Sequence, residues 1–273
     1  MPDKKSDIQK QIENIDIELY NLLMKRTELV KENPQPVKIE NILGQEAMTI
    51  RRMLKYHTGD FPEYVVAKIW REILSASACL HKKLKIAVYG EEQDISILHR
   101  VQEHFGSYVD VSLLSSYNQV FNMVSTHEAQ LAIVPCYNHE MNEKPWWNAL
   151  SAQKDKESLN IVARLPFVRH RNIAPENEAY VFALSPSDAS GIDNSVLSVE
   201  CDIDVSNSTI FETLIAMGFD DPKLLASANV GETKFTLIEV KGYVDSASPS
   251  LQDASELFKG LHLAGTYARP IEL

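Results

Sequence analysis

Cysteine is scarce: three residues in 273, at Cys79, Cys136 and Cys201, too few and too far apart for a disulfide framework or a zinc knuckle. We expect them to act as small buried apolar residues. Basic charge is also short, 27 Lys and Arg against 38 Asp and Glu for a net charge of −11, which argues against a sequence-independent hold on nucleic acid or an anionic membrane. No apolar run approaches the roughly 18 residues of a membrane span, and the start, MPDKKSDIQKQ, lacks the apolar core of a secretory signal. A cytoplasmic location follows as the expectation. His99, His104, His127 and His139 have no metal-ligand spacing with a matching acid or cysteine, so the expected metal and cofactor count is none.

What is present is an ordinary globular composition, 44% hydrophobic, long enough for two or three compact units. Charge divides them unevenly. Residues 1–83 carry 14 Lys and Arg against 12 Asp and Glu, and the rest of the chain carries 13 against 26. At Lys82-Lys83 the pattern also changes from helical to LKIAVYG, a buried strand ending in a turn glycine, and this sets a domain boundary between 83 and 84.

In 1–83 the apolar positions Ile8, Ile12, Ile15, Leu19, Leu22 and Leu29 form one helical stripe, interrupted by Arg26. A second helix, about 44–57, has Leu43, Ala47, Ile50 and Leu54 on one face together with Glu46. A third begins after Pro62, with Val66, Ile69, Trp70, Ile73, Leu74 and Leu80 as its stripe and Ser77 and His81 within it. A three-helix domain with Arg26, Glu46, Ser77 and His81 on apolar faces must pair those groups or reserve them for a polar ligand, because an unpaired buried charge is very costly. The residues leave both readings open: an internal Arg26–Glu46 salt bridge, or a small anion held between helices.

The segments IENIDIELYNLLMKRTELV, GQEAMTIRRML and FPEYVVAKIWREILSASACLH resemble the all-helical (type II) chorismate mutase domain over nearly all of 8–83, in particular as it opens a fusion with prephenate dehydratase. That resemblance implies an isomerase of the shikimate pathway, rearranging chorismate to prephenate for aromatic amino acid biosynthesis. The reaction is a unimolecular pericyclic step on a dicarboxylate and needs no nucleophile, base, metal or other cofactor; positioning and electrostatics carry it. By position, the resemblance implies that Arg26 meets a substrate carboxylate and Glu46 the substrate hydroxyl. Ser77 then meets a carboxylate, and His81 stands where the family usually places glutamine facing the ether oxygen. Gln9, with Lys10 beside it, stands where the family has an arginine reaching the partner subunit's site. Gln45 replaces the arginine before the second-helix acid, and Lys38 is the stand-in for the family's lysine in a shortened loop. A homodimer with sites shared between helical domains is implied.

Residues 84–175 alternate strand and helix as LKIAVYG, SILHRVQEHFG, VDVSLLSS, QVFNMVST and QLAIVPC, the pattern of a small parallel α/β unit. The strand-glycine opening and Val134-Pro135 followed by Asn138 resemble a truncated prephenate dehydratase domain. That family's threonine-arginine-phenylalanine motif has as its nearest match Ala163-Arg164-Leu165-Pro166-Phe167, which offers no hydroxyl. Pro145-Trp146-Trp147 reads as packing, or as an aromatic platform. From Ser195 the order βαββαβ gives residues 176–273 a ferredoxin-like plan, resembling the ACT regulatory domain and implying dimerisation and an aromatic amino acid effector. The family's effector motifs are absent, the corresponding stretches reading Asp204-Val205-Ser206-Asn207 and Leu225-Ala226-Ser227-Ala228. The expected architecture is therefore multidomain α plus α/β, divided 1–83, 84–175 and 176–273. Two functions are in view: a chorismate mutase, or a weakened relative that senses an aromatic metabolite or binds a partner, with prephenate dehydratase activity the less favoured third.

Overall fold

The computed structural model describes residues 3–32, 39–80, 83–90, 95–106, 108–136, 146–147, 158–169, 178–253 and 258–273. Helices α1 (Asp3–Glu32), α2 (Ile39–Tyr56) and α3 (Glu63–Ala78) open the chain. The thirty residues of α1 contain neither proline nor glycine, so nothing interrupts it. Pro62 caps α3 with φ −62° and ψ 126°, and its carbonyl accepts from the amides of Val65 and Val66.

The helices do not pack as the isolated bundle that their stripes suggest. The stripe of α1 stays in solvent, with Ile12 47% and Leu22 63% exposed. Helix α3 buries Ala67, Arg71 and Ser75, one position round from the expected stripe, leaving Ile69 47% exposed. The cause is a different partner: α2 and α3 lie on the α/β body. Ala47, Ile50 and Ala67 share a core with Phe167 and, at its margin, Trp70, Leu74, Ile271 and Leu273.

The body is one nine-stranded sheet. Its elements are β1 (Lys85–Tyr89), α4 (Ile95–Phe105), β2 (Asp110–Leu114), α5 (Tyr117–Ser125), β3 (Leu131–Pro135), β4 (Asn160–Leu165), β5 (Val168–Arg169) and β6 (Ala179–Ala183). They continue with β7 (Asp193–Asp202), α6 (Asn207–Ala216), β8 (Asp220–Val230), β9 (Thr233–Lys241), α7 (Pro249–Asp253), β10 (Gly260–Ala268) and β11 (Ile271–Glu272). The order is β2-β1-β3-β6-β4-β10-β7-β9-β8, and β5 pairs separately with β11. Strands β2, β1 and β3 are parallel, as crossover helices require. Alternation along β1 then sorts the faces: Ile86 and Val88 meet Ile97 and Val101 of α4, while Ala87 joins Val120 and Val124 of α5.

The expected all-parallel unit is in fact mixed. Strand β6, which opens the 176–273 stretch, runs antiparallel between β3 and β4. All five of its residues are buried, so it needs a neighbour on each edge and a cover on each face. The last four strands run β10-β7-β9-β8, each antiparallel to the next, with Ile210 and Leu214 of α6 packed on Leu197, Val199, Ile238 and Val240.

One backbone pairing joins the two halves of the sheet. The β10–β4 ladder is the single parallel pairing of Gly265 with Ile161. Gly265 has φ +146°, and a Cβ there would stand 2.3 Å from the Ile161 backbone nitrogen and oxygen, so only glycine lets the strands close.

Candidate functional site

Two polar clusters form in the helical region. In the first, Arg26 lies near the C-terminal end of α1, half-buried against α3, and its Nη1 donates to Ser77 Oγ at 2.5 Å. The Ser77 hydroxyl donates in turn to the Ile73 carbonyl one turn back, at 2.6 Å, leaving its lone pairs for the guanidinium. Arg26 keeps its charge in any such setting. Two of the four seam residues picked out by the sequence are thus brought together, on different helices and 51 residues apart in the chain.

The second cluster holds Glu46, on another partner than expected. Glu46 is 4% exposed, and Arg71 Nη1 donates to its Oε2 at 3.0 Å. Arg71 is 6% exposed and stacks over the Phe167 ring, 5.0 Å from its centroid. His104 Nε2 stands 3.2 Å from the same Arg71 nitrogen. Since that nitrogen is a donor, Nε2 accepts and the imidazole is neutral with its proton on Nδ1. Burial, and then the Arg71 and Arg100 cations, hold the His104 pKa well below its ordinary value. Burial likewise pushes the Glu46 carboxyl up to about 7, against the pull of Arg71.

The internal Arg26–Glu46 salt bridge is therefore not formed. Among the described residues, no hydrogen bond or ion pair links the Arg26–Ser77 pair to Glu46. Arg71 is the residue that the sequence reading missed. Its signal was its place between Ala67 and Ser75 at helical spacing, which puts a charge on a small-residue face fit for close packing. The remaining candidates stand apart: Gln9 is exposed with its amide 3.5 Å from Glu13, and Lys10 and Gln45 are exposed. Lys38 and His81 lie outside the described residues.

A third cluster sits where the two halves of the sheet meet. Arg164 of β4 reaches Glu178 at 2.9 Å and Glu239 of β9 at 3.0 Å, and the Tyr267 hydroxyl also donates to Glu239. Arg169 pairs with the other oxygen of Glu178. Both acids next to Arg164 are thus engaged, and its charge is neutralised inside the protein. Cys136 lies beside this cluster with its thiol pushed up to about 12, chiefly by burial, so it is no nucleophile. Trp146 and Trp147 are 3% and 0% exposed, and Trp146 sets its edge against Phe182 and Tyr180; the pair is packing rather than an exposed platform. Among the described residues no group of three His, Cys, Asp or Glu is placed to hold a metal ion, and no helix is long and apolar enough to cross a membrane.

Residues 8–82 match the family model of chorismate mutase type II. The chain carries a type II chorismate mutase domain. The bifunctional chorismate mutase/prephenate dehydratase of Aquifex aeolicus is 30% identical over 141 residues, covering 48% of this chain and 38% of that protein. The protein of the same name from Pseudomonas aeruginosa is 24% identical over 147 residues, covering 50% and 40%. The chain therefore spans well under half the length of these relatives. Among solved structures, the quorum quenching acylase GqqA aligns with a TM-score of 0.47 at 16% identity over 67% of this chain and 94% of its own. Prephenate dehydratase from Streptococcus mutans aligns with a TM-score of 0.46 at 18% identity over 69% and 100%. Arg26 and Ser77 both belong to the matched span.

Proposed function

We propose that the chain is a homodimeric chorismate mutase that converts chorismate to prephenate for aromatic amino acid biosynthesis. The observation that carries this reading is the Arg26–Ser77 pair, a cation already held against a hydroxyl within a chorismate mutase domain. A bound carboxylate accepts from the guanidinium, and from Ser77 once that hydroxyl turns from the Ile73 carbonyl to which it donates; the enzyme's work is to hold the compact conformer in which the C–C bond forms as the C–O bond breaks. Each charge-assisted contact is worth roughly 1.5–3 kcal/mol, so a clamp with few cations gives a slower mutase rather than a different reaction.

The unpartnered apolar stripe of α1 supports the dimer, because a row of isoleucine and leucine about half-exposed gains from a second copy. Gln9 and Lys10 are then the groups that α1 carries toward the partner's site. Lys38, Gln45 and His81 complete the substrate contacts in this reading. The strand order β10-β7-β9-β8 with α6 and α7 supports an ACT-like module over the C-terminal stretch, with an aromatic amino acid as its effector.

A second reading, a weakened relative that binds an aromatic metabolite or a partner without turnover, is favoured by Glu46. Its carboxylate is turned into the Arg71 pair rather than left for a substrate hydroxyl. Dehydratase activity is disfavoured by Arg164, whose charge Glu178 and Glu239 already consume. Incubation of the purified chain with chorismate, with the product identified after acid-free quenching, separates the three. Prephenate alone supports the mutase, phenylpyruvate the dehydratase, and no turnover the binding module.

A further inference from the structure

Away from these clusters, a cavity of about 480 Å³ opens where the start of β4 and the end of β6 face the loop that follows β9 and the strand β10. That is within the size of small-molecule sites, roughly 300–1,000 Å³. It is lined from both halves of the sheet within a single chain, and none of its lining residues is one that the mutase reading uses.

Its lining is specific in charge. Ser158, Asn160, Ser185, Tyr243 and Ser246 supply hydroxyl and carboxamide groups, and Asp245 is the one charged side chain among the described lining residues. Several of these groups are uncommitted. The Asn160 amide donates to the carbonyls of Ser158 at 2.7 Å and Leu184 at 3.4 Å, which leaves Oδ1 as an acceptor. Asp245 Oδ1 accepts from the Ala247 amide at 2.8 Å, which leaves Oδ2. The Tyr243 hydroxyl donates to the Ser187 carbonyl at 3.3 Å, so its lone pairs are free to accept. The local field is negative: after burial, the carboxylates of Asp245, Asp188 and Asp193 are what raise the Tyr243 phenol above its usual range. Leu184 and Leu263 give the cavity an apolar wall. The floor is rigid, since Thr266 Oγ1 is bonded to Ser195 Oγ at 2.9 Å and the Val244 amide donates to that same Ser195 oxygen at 2.9 Å.

Acceptors on three strand ends, a single carboxylate and an apolar wall suit a donor-rich cation with a compact apolar body, and repel an anion. We propose that this cavity is a binding site for a small molecule bearing a primary ammonium, with the ammonium on Asp245 and Asn160 and the apolar body on Leu184 and Leu263. Such a ligand ties the loop after β9 to the start of β4, and so adds a bridge between the two halves of the sheet beside the Gly265 pairing and the Arg164–Glu239 ion pair.

The test is calorimetric titration of the full chain with three probes of one shape and different heads: phenethylamine, L-phenylalanine and 3-phenylpropionate. Its readout is binding, so it stands or falls apart from mutase turnover. Phenethylamine binds, and 3-phenylpropionate is at least about tenfold weaker. Equal binding of L-phenylalanine assigns the site to amino acids, and a preference for phenethylamine assigns it to amines lacking a carboxylate. Asp245→Asn, which keeps the acceptor for the Ala247 amide, weakens the amine about 10- to 100-fold. Ser246→Tyr, a change at an exposed position of the mouth, blocks it. Binding of none of the probes, equal binding of 3-phenylpropionate, or unchanged amine affinity in Asp245→Asn would overturn the proposal.

Discussion

Replacing Arg71 by methionine removes the guanidinium that faces Glu46 while keeping an apolar stem between α2, α3 and Phe167. Glu46 is then a carboxyl at 4% exposure without its cation. Breaking a buried pair by removing one partner costs about 3–5 kcal/mol, because the remaining charge has to stay buried alone or take up a proton. Glu46 can escape part of this. Burial already lifts its carboxyl to about 7, so at pH 5 it is largely neutral and the loss reduces to a hydrogen bond and the contact of Arg71 with Phe167, about 1–2 kcal/mol. The destabilisation by Arg71→Met is therefore expected to be about 3–5 kcal/mol at pH 8 and to shrink by about half or more at pH 5. Urea titration followed by tryptophan fluorescence reports it, since Trp70 borders the same core. The double variant Arg71→Met/Glu46→Leu is expected to recover most of the loss at pH 8, since it leaves no stranded charge. A cost below about 1 kcal/mol at pH 8, or one that is the same at both pH values, would refute this account of the cluster.

Other consequences can be checked on the same protein. Glu46 and His104 pull stability in opposite directions: the raised Glu46 contributes stability that is present below its ordinary 4.5 and lost as pH rises through about 7, whereas the depressed His104 contributes stability present above 6.5 and lost as pH falls. Between those values they offset, so Glu46→Gln should make acid unfolding steeper below pH 6.5 in a pH series of melting curves; an unchanged profile counts against the pairing. Gly265→Ala is expected to cost at least about 1–3 kcal/mol in urea unfolding, from a Cβ 2.3 Å from Ile161, and a neutral substitution would mean that β4 and β10 do not close as described. The pair Ile12→Glu and Leu19→Glu should convert the proposed dimer to a monomer in sedimentation velocity while leaving the α/β body folded. An unaltered sedimentation coefficient would mean that the α1 stripe is not the contact.

How far the sequence was legible varied with the range of the interaction. The three helices, the parallel strands β1 to β3 and the βαββαβ order after Ser195 could be read because period and strand length are local properties. Which way each helix faces could not. The stripe counted on α3 was Val66, Ile69, Trp70, Ile73, Leu74 and Leu80, but α3 buries Ala67, Arg71 and Ser75 instead, with Ala67 and Arg71 against Phe167, about a hundred residues away. The position of β6 between β3 and β4 has the same origin, since a fully buried strand has no alternation to say which neighbours it takes. Arg26 could be picked out because a charge interrupting an apolar stripe is visible in one dimension, and the structure sets it against Ser77. Arg71 was missed because it lies beside, rather than on, the stripe that was counted. The Arg164 cluster depends on acids from β9 and the stretch before β6, and no spacing announces it.

The central claim is that Arg26 and Ser77 hold a carboxylate of chorismate, and steady-state turnover of chorismate by the wild-type chain and by Arg26→Ala tests it most directly. The account predicts prephenate formation by the wild type, and a loss in kcat/KM of about 100-fold or more in the variant, with the helical circular dichroism unchanged. Turnover at the wild-type rate by Arg26→Ala would contradict it.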